Sequence, residues 1–175
     1  MTKVVFATLF LMSSYIGFSQ NTDTKEASVE KSVFGIQTGL LGVWIHNEFK
    51  ITNQIAFRSE IGLAGPNSNN IRPTFTFEPR LYYNLKNRLE KGKRIDGNSG
   101  DYISLKTRYH LHSTKAARES DLSHVLAVTT WGMRRNIGKH FNYEVGIGGG
   151  LGFDKSNSGN VHFSFDASLR IGYRF

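Results

Sequence analysis

The C-terminal segment alternates strictly between apolar and polar side chains, and this pattern constrains the fold more than any other feature. In a β-strand successive side chains point to opposite faces, whereas an amphipathic helix repeats every 3.6 residues. The run is also much longer than the usual strand of about five or six residues. It therefore predicts one long strand, whose apolar face carries Val161, Phe163, Phe165, Ala167, Leu169, Ile171, Tyr173 and Phe175.

The same alternation extends backwards through the chain. Between 140 and 153 the apolar positions alternate with glycines, and small residues there would leave room for bulky side chains across a narrow lumen. Together these patterns predict eight strands, at roughly 32–41, 43–51, 54–63, 73–85, 101–112, 124–136, 140–153 and 160–175.

Strands of this kind can cross a membrane only as a closed barrel, because every backbone group must be hydrogen-bonded in lipid. The mean hydropathy of −0.34 is compatible with such a barrel, since only every second side chain would face lipid. Eight is an even number and the minimum for this class. We therefore predict an all-β fold, an eight-stranded antiparallel up-and-down transmembrane β-barrel.

The N-terminal residues have the form of an export signal. Lys3 precedes an apolar stretch over 4–18, and small residues precede a cut after Ser19. We expect a signal peptide over 1–19, a disordered leader over 20–31 and a barrel over 32–175. The chain has no cysteine, which excludes disulfides, thiolate metal sites and a lipid-modified N-terminal cysteine.

An even number of strands puts both ends of the barrel on one side, the periplasmic side in such proteins. The connections at Thr52–Asn53, 86–100 and Gly138–Lys139 would then also be periplasmic. The connections near 41–42, 64–72, 113–123 and 154–159 would be extracellular. The long basic connection 86–100 fits poorly, because periplasmic turns are normally short. It predicts either an unusual inner loop or a strand count that is wrong by one.

The polar faces of the strands carry charges of both signs. In a narrow lumen such groups must pair, because an isolated buried charge is very costly. We therefore predict a closed lumen, with salt bridges among Glu48, Lys50, Arg58, Glu60, Glu78, Arg80, Lys106, Arg108, Arg134, Glu144, Asp166, Arg170 and Arg174. A narrow channel is the alternative, although a barrel of eight strands is about full of its own side chains.

Histidines collect near the outer end of the predicted barrel. His110 and His112 share a strand face and His124 begins the next strand, so a surface metal site is one hypothesis. A hydrolytic set of Ser113, His112 or His124, and Glu119 would make the protein a lipid-modifying enzyme, but no nucleophile motif accompanies it. We predict no catalytic residue and no cofactor.

Several stretches resemble a family of small outer-membrane β-barrel proteins of Bacteroidetes-type bacteria: FGIQTGLLGVW at 34–44, EPRLYYNLKNR at 78–88, NSGDYISLK at 98–106, WGMRRNIGKHFNYEVGIG at 131–148 and LRIGYRF at 169–175. The resemblance implies a fold and a location in the outer membrane, and no activity. Tyr173 and Phe175 also resemble the C-terminal signal that the barrel-assembly machinery recognises.

The predicted role is structural or interaction-based. The expected partners are outer-membrane lipid, lipopolysaccharide and, during biogenesis, the barrel-assembly machinery. The net charge of +8 indicates attraction to anionic lipid or polysaccharide, or ordinary solubility with interior arginines. An exported chain makes nucleic acid an implausible partner, and we expect a monomer. A soluble periplasmic ligand-binding barrel would need the alternation inverted, with aromatic residues inside and charges outside.

Overall fold

The computed structural model describes residues 26–65, 71–111, 124–154 and 161–175. Within these ranges eight strands form one closed antiparallel barrel, in which neighbours in sequence are neighbours in space. This confirms the predicted all-β, eight-stranded barrel. The strands are β1 Ser32–Gly39, β2 Gly42–Lys50, β3 Ile55–Ala64, β4 Arg72–Tyr82, β5 Asp101–His110, β6 His124–Ile137, β7 Phe141–Asp154 and β8 Val161–Arg174.

The barrel closes where the last strand pairs with the first. In that seam Gly35 lies opposite Arg174 and Ile36 lies opposite Tyr173. The neighbouring β7–β8 pair is long and runs from Phe141 opposite Tyr173 to Phe153 opposite Val161. The long C-terminal strand β8 therefore pairs with both β7 and β1, and the sheet has no free edge.

The outer surface of the barrel is apolar. Because side chains alternate along each strand, pairing puts outward residues of neighbouring strands side by side, as in the row Ile36, Ile45, Ile61 and Phe75. The outward apolar side chains of the strands are highly exposed, up to 74% for Phe163. Outward apolar residues are present on every strand and include Phe34, Val43, Leu63, Phe77, Leu81, Ile103, Leu105, Trp131, Ile147, Leu151, Phe165, Leu169 and Ile171.

The connection after β4 folds into a cap over one end of the barrel. At this end, which we call the base, β1 begins and β8 ends. It contains a short helix, α1 (Leu85–Glu90), and a 3₁₀ turn at Asp96–Asn98. β4 therefore ends at Tyr82 and not at 85 as predicted. Leu85 is buried in a cluster with Val29, Ala56, Tyr82 and Tyr102. The strand count stands, and the basic connection is a folded cap.

α1 is part of that cap. In the described part of the chain, no helix has the length and the apolar character that crossing a membrane requires.

Residues 26–31 belong to the predicted leader, yet they make defined contacts with the barrel base. Val29 is 3% exposed, and its backbone N–H donates to the Asn53 carbonyl over 2.9 Å. The Glu30 N–H donates to Asn98 Oδ1, and Glu30 Oε1 accepts a bond from the Gly97 N–H. Burial of Val29 and these bonds to the cap order this part of the leader. The predicted signal peptide and residues 20–25 lie outside the described residues.

Candidate functional site

A network of paired charges fills the middle of the barrel. Each of its members is at most 4% exposed. They are Glu48, Arg58, Glu60, Glu78, Arg80, Arg134, Glu144 and Arg170, and we call them the lumen network. The set holds as many carboxylates as guanidinium groups, so its formal charges cancel.

Glu144 on β7 is the centre of the lumen network. Its Oε1 accepts hydrogen bonds from Arg80 Nη2 at 2.8 Å and from the Tyr102 hydroxyl at 2.9 Å. Its Oε2 accepts from Arg134 Nε at 3.0 Å and Arg134 Nη2 at 2.9 Å. Arg80 is on β4, so its pair with Glu144 reaches across the barrel rather than between adjacent strands.

A second cross-barrel pair joins β8 to β3. Arg170 Nη1 lies 2.8 Å from Glu60 Oε2, and Arg58 Nη2 lies 2.9 Å from the same oxygen. Arg58 also donates to Gln37 Oε1 at 2.6 Å. These side chains therefore meet across the lumen.

Glu48 connects the lumen network to the cap. It lies 3.0 Å from Arg134 Nη2 and accepts a bond from the Tyr82 hydroxyl at 2.8 Å. It also accepts from Asn98 Nδ2 at 2.7 Å, and Asn98 belongs to the 3₁₀ turn. The cap is therefore held by the charges it covers.

Glycines opposite two lumenal aromatic residues decide where these rings lie. Gly62 pairs with Trp44 and Gly132 pairs with Tyr102. A Cβ at Gly62 would lie 2.2 Å from Trp44 Cδ1, and a Cβ at Gly132 would lie 2.3 Å from Tyr102 Cζ. Each ring therefore lies across the bare backbone of the next strand. Alternation places Trp44 on the polar face of its strand, but no sequence signal indicated this use of either ring.

Two residues of the predicted set lie at the base and outside the lumen network. Lys50 Nζ donates to Ser28 Oγ at 2.8 Å, and Arg174 lies 2.8 Å from Asp96 Oδ2. Asp96 also pairs with Arg94, whose hydrogen bonds, more than that of Arg174, lower the pKa of this carboxyl to about 2. These pairs fasten the cap and the leader to the ends of β2 and β8.

The other end of the barrel, which we call the mouth, holds the remaining predicted charges. Lys106 Nζ lies 2.7 Å and Arg108 Nη1 3.3 Å from the Asp166 carboxylate. A cavity of about 380 Å³ adjoins Arg108 and Asp166. Its wall includes Trp44, Arg72, Arg108, His110, His124 and Asp166.

The histidines predicted to bind metal are partly brought together at the mouth. The rings of His110 and His124 stack with centroids 4.2 Å apart. No group of three or more potential ligands gathers among the residues that the structure describes. His112 lies outside the described residues, so the metal site stays a prediction. Ser113 and Glu119 also lie outside them, and the hydrolytic set stays untested.

Comparison of the chain with protein-family models, with curated proteins and with solved structures finds no match.

Proposed function

We propose that the protein is an integral outer-membrane β-barrel with a structural or interaction role and a lumen closed to ions. The observation that carries this proposal is the inversion of the usual pattern, with charges buried inside and large apolar side chains exposed outside. Monomeric soluble proteins rarely expose contiguous apolar patches larger than a few hundred Å².

The strand lengths support a bilayer as the environment. A transmembrane strand needs about 9–11 residues when tilted by about 45°. β2 to β5 have 9, 10, 11 and 10 residues, close to that span. β6, β7 and β8 have 14 each and would extend beyond the hydrocarbon.

Aromatic side chains near the base support the same environment. Trp131 Nε1 donates to the Tyr83 hydroxyl at 2.8 Å on the outer surface. Tyr173 stacks on His140 and packs edge-on against Phe141 and Phe175. Girdles of amphipathic aromatic rings mark the interfaces of barrels embedded in lipid.

The choice of the outer membrane rests on the sequence. The predicted signal peptide, the C-terminal Phe175 and the resemblance to Bacteroidetes-type outer-membrane barrels all favour it. In that membrane the capped base would face the periplasm, and the mouth would face outward towards lipopolysaccharide. We also propose that the protein is a monomer and that the barrel-assembly machinery assembles it.

The lumen network supports the closed state. Arg80–Glu144 and Arg170–Glu60 join opposite walls, and the cap covers the base. Planar-bilayer recording should therefore show no discrete conductance. Regular single-channel steps from the purified protein would contradict the closed lumen and favour the narrow channel.

Two single-tryptophan variants test the membrane location. Trp131 is 44% exposed on the outer surface and Trp44 is 4% exposed in the lumen. In vesicles with brominated lipids, the Trp44→Phe variant should lose most of its fluorescence, whereas the Trp131→Phe variant should keep it. The folded protein should also migrate differently on SDS gels before and after boiling. Equal quenching in both variants, together with detergent-independent solubility, would refute the proposal.

A further inference from the structure

Exposed lysines form a band on one side of the base, and we call this band the basic rim. It consists of Lys86 in α1, Lys91 and Lys93 in the segment that follows α1, and Lys139 in the turn between β6 and β7. Arg94 Nη1 donates a hydrogen bond to the Gly138 carbonyl, which holds that segment beside the turn. The four lysines therefore belong to one continuous surface.

The basic rim has few carboxylates to neutralise it. In the described ranges, the ion pairs at the base join arginines to acids: Arg94 and Arg174 to Asp96, Arg174 to Glu30, and Arg135 to Asp101. None of these pairs includes a lysine. Once these acids are set aside, the cap has one further carboxylate, Glu90, which is exposed on α1. The four lysines thus outnumber the carboxylate beside them.

Arg88 adds another cation next to the basic rim. Its Nη2 donates to the Arg94 carbonyl at 2.9 Å and to Ser99 Oγ at 3.3 Å, and both acceptors are neutral. Burial lowers the pKa of Arg88, the nearby Arg135 guanidinium lowers it further, and the Asp101 carboxylate opposes both effects. An external anion would stabilise such a crowded positive charge.

The basic rim lies where the apolar outer wall ends. Lys139 falls between Ile137 and Phe141, which are both exposed on that wall. Lys86 closely follows Tyr83, whose hydroxyl accepts the hydrogen bond from Trp131 on the same surface. Amphipathic aromatic side chains mark the boundary between hydrocarbon and headgroups. In a bilayer the lysines would therefore lie at the level of the headgroups.

We propose that the basic rim binds the anionic headgroups of phospholipids in the leaflet next to the base. The negative headgroup lies against the lysine ammonium groups, and the acyl chains contact the aromatic wall beside them. Phosphatidylglycerol has this chemistry, because no cationic group offsets its phosphate, whereas phosphatidylcholine carries a compensating ammonium. This inference rests on the proposed membrane location and adds a preference for anionic lipid at one face of the protein.

Quenching of Trp131 tests this preference locally. The chain has two tryptophans, so in the full-length Trp44→Phe protein only Trp131 reports. The protein is placed in bilayers that contain phosphatidylcholine and phosphatidylglycerol, with bromine on the chains of one lipid or of the other. We expect phosphatidylglycerol to be favoured beside Trp131 by about fivefold in low salt, the factor for one cation at an anionic surface. The preference should fall towards unity in about 1 M salt, where charges are screened within about 3 Å.

Two double variants, both in the Trp44→Phe background, separate the basic rim from the overall charge. Lys86→Gln with Lys91→Gln should at least halve the preference for phosphatidylglycerol, because it removes two cations from the cap. Lys31→Gln with Lys50→Gln makes the same change of charge at the base, where β1 begins and β2 ends. These strands are not neighbours of β6, which carries Trp131, so this control should leave the preference unchanged.

Three results would overturn the proposal: equal quenching by the two brominated lipids, a preference that persists in about 1 M salt, or equal losses in the two double variants. Heat-modifiable migration shows that each variant is folded, and if the cap variant does not fold, the salt dependence of the parent decides. If neither brominated lipid quenches Trp131, the proposed membrane location fails instead. The two proposals can therefore fail separately.

Discussion

Replacement of Glu144 by glutamine tests whether the buried charges stabilise the barrel as a balanced set. The side chain is 2% exposed and keeps its shape in the variant, but the lumen network gains one uncompensated positive charge. Glu144 receives bonds from Arg80 on both oxygens and from Arg134 on one of them. Whichever way the new amide is turned, its NH₂ group faces a guanidinium.

The cost can be worked from these contacts. One arginine loses its acceptor and faces a donor instead, and charged hydrogen bonds are each worth about 1.5–3 kcal/mol. Removing one partner from a buried ion pair typically costs about 3–5 kcal/mol, because the other charge stays buried. We therefore expect Glu144→Gln to lower the free energy of unfolding by about 3–5 kcal/mol.

Urea-induced unfolding in phosphatidylcholine vesicles, followed by tryptophan fluorescence, measures this change. Glu90→Gln makes the same change of charge at an exposed position on α1 and should stay within about 0.5 kcal/mol of the parent. The double variant Glu144→Gln, Arg134→Gln restores equal numbers of charges. Its cost should be at least about 1 kcal/mol less than the sum of the two single costs.

A change below about 1 kcal/mol for Glu144→Gln would refute this reasoning, since it would mean that water or relaxation solvates the unpaired arginine. Strict additivity in the double variant would likewise show that the two residues act independently.

Three further predictions concern the glycine contacts, the base and the C-terminus. Gly132→Ala should lower the free energy of unfolding by about 1–3 kcal/mol through overpacking, because Tyr102 is held by Glu144 and cannot move freely. In the control Gly149→Ala the new methyl group meets the exposed ring of Phe163, so this variant should lose less stability in the same urea assay. The pKa of Asp96 is about 2 in the folded protein against its usual 3.8. Its stabilising effect is therefore complete above the unfolded value and is lost as the pH falls through about 2. The difference in stability between the parent and Asp96→Asn should shrink over that pH interval, and a constant difference would contradict this reasoning. Phe175→Ala should reduce the amount of barrel in outer-membrane fractions and barely change the stability of the refolded protein. Phe163→Ala is the control, because Phe163 on β8 is similarly exposed. Equal losses from the membrane fraction for both variants would exclude a C-terminal signal.

Alternation along the chain was enough to predict the barrel and the face of each strand residue. Val161–Arg174 and Phe141–Asp154 form strands because their period of two fits a pleated backbone and no helix. The same parity assigned Glu48, Arg58 and Glu144 to the interior. These properties are local, and each can be read from a residue and its immediate neighbours.

The pairing inside the barrel could not be predicted in this way. The pair Arg80–Glu144 joins residues 64 positions apart, and Arg170–Glu60 joins residues 110 apart. Their contact depends on how the strands are staggered when the sheet closes, which composition does not reveal. For the same reason Lys50 and Arg174, inside by parity, belong to the base and not to the lumen network.

The sequence by itself thus determined the fold class and the inward or outward side of the strand residues, because side-chain alternation is a property of the backbone. It left the strand number open at the connection 86–100, and the tertiary structure decided that number. Only the tertiary structure decided that the basic connection after β4 is a cap, that Val29 is buried under it and that Trp44 lies between the backbone of Gly62 and the guanidinium of Arg170. Those outcomes depend on which residues meet across a closed barrel, and closure is a long-range property of the whole chain.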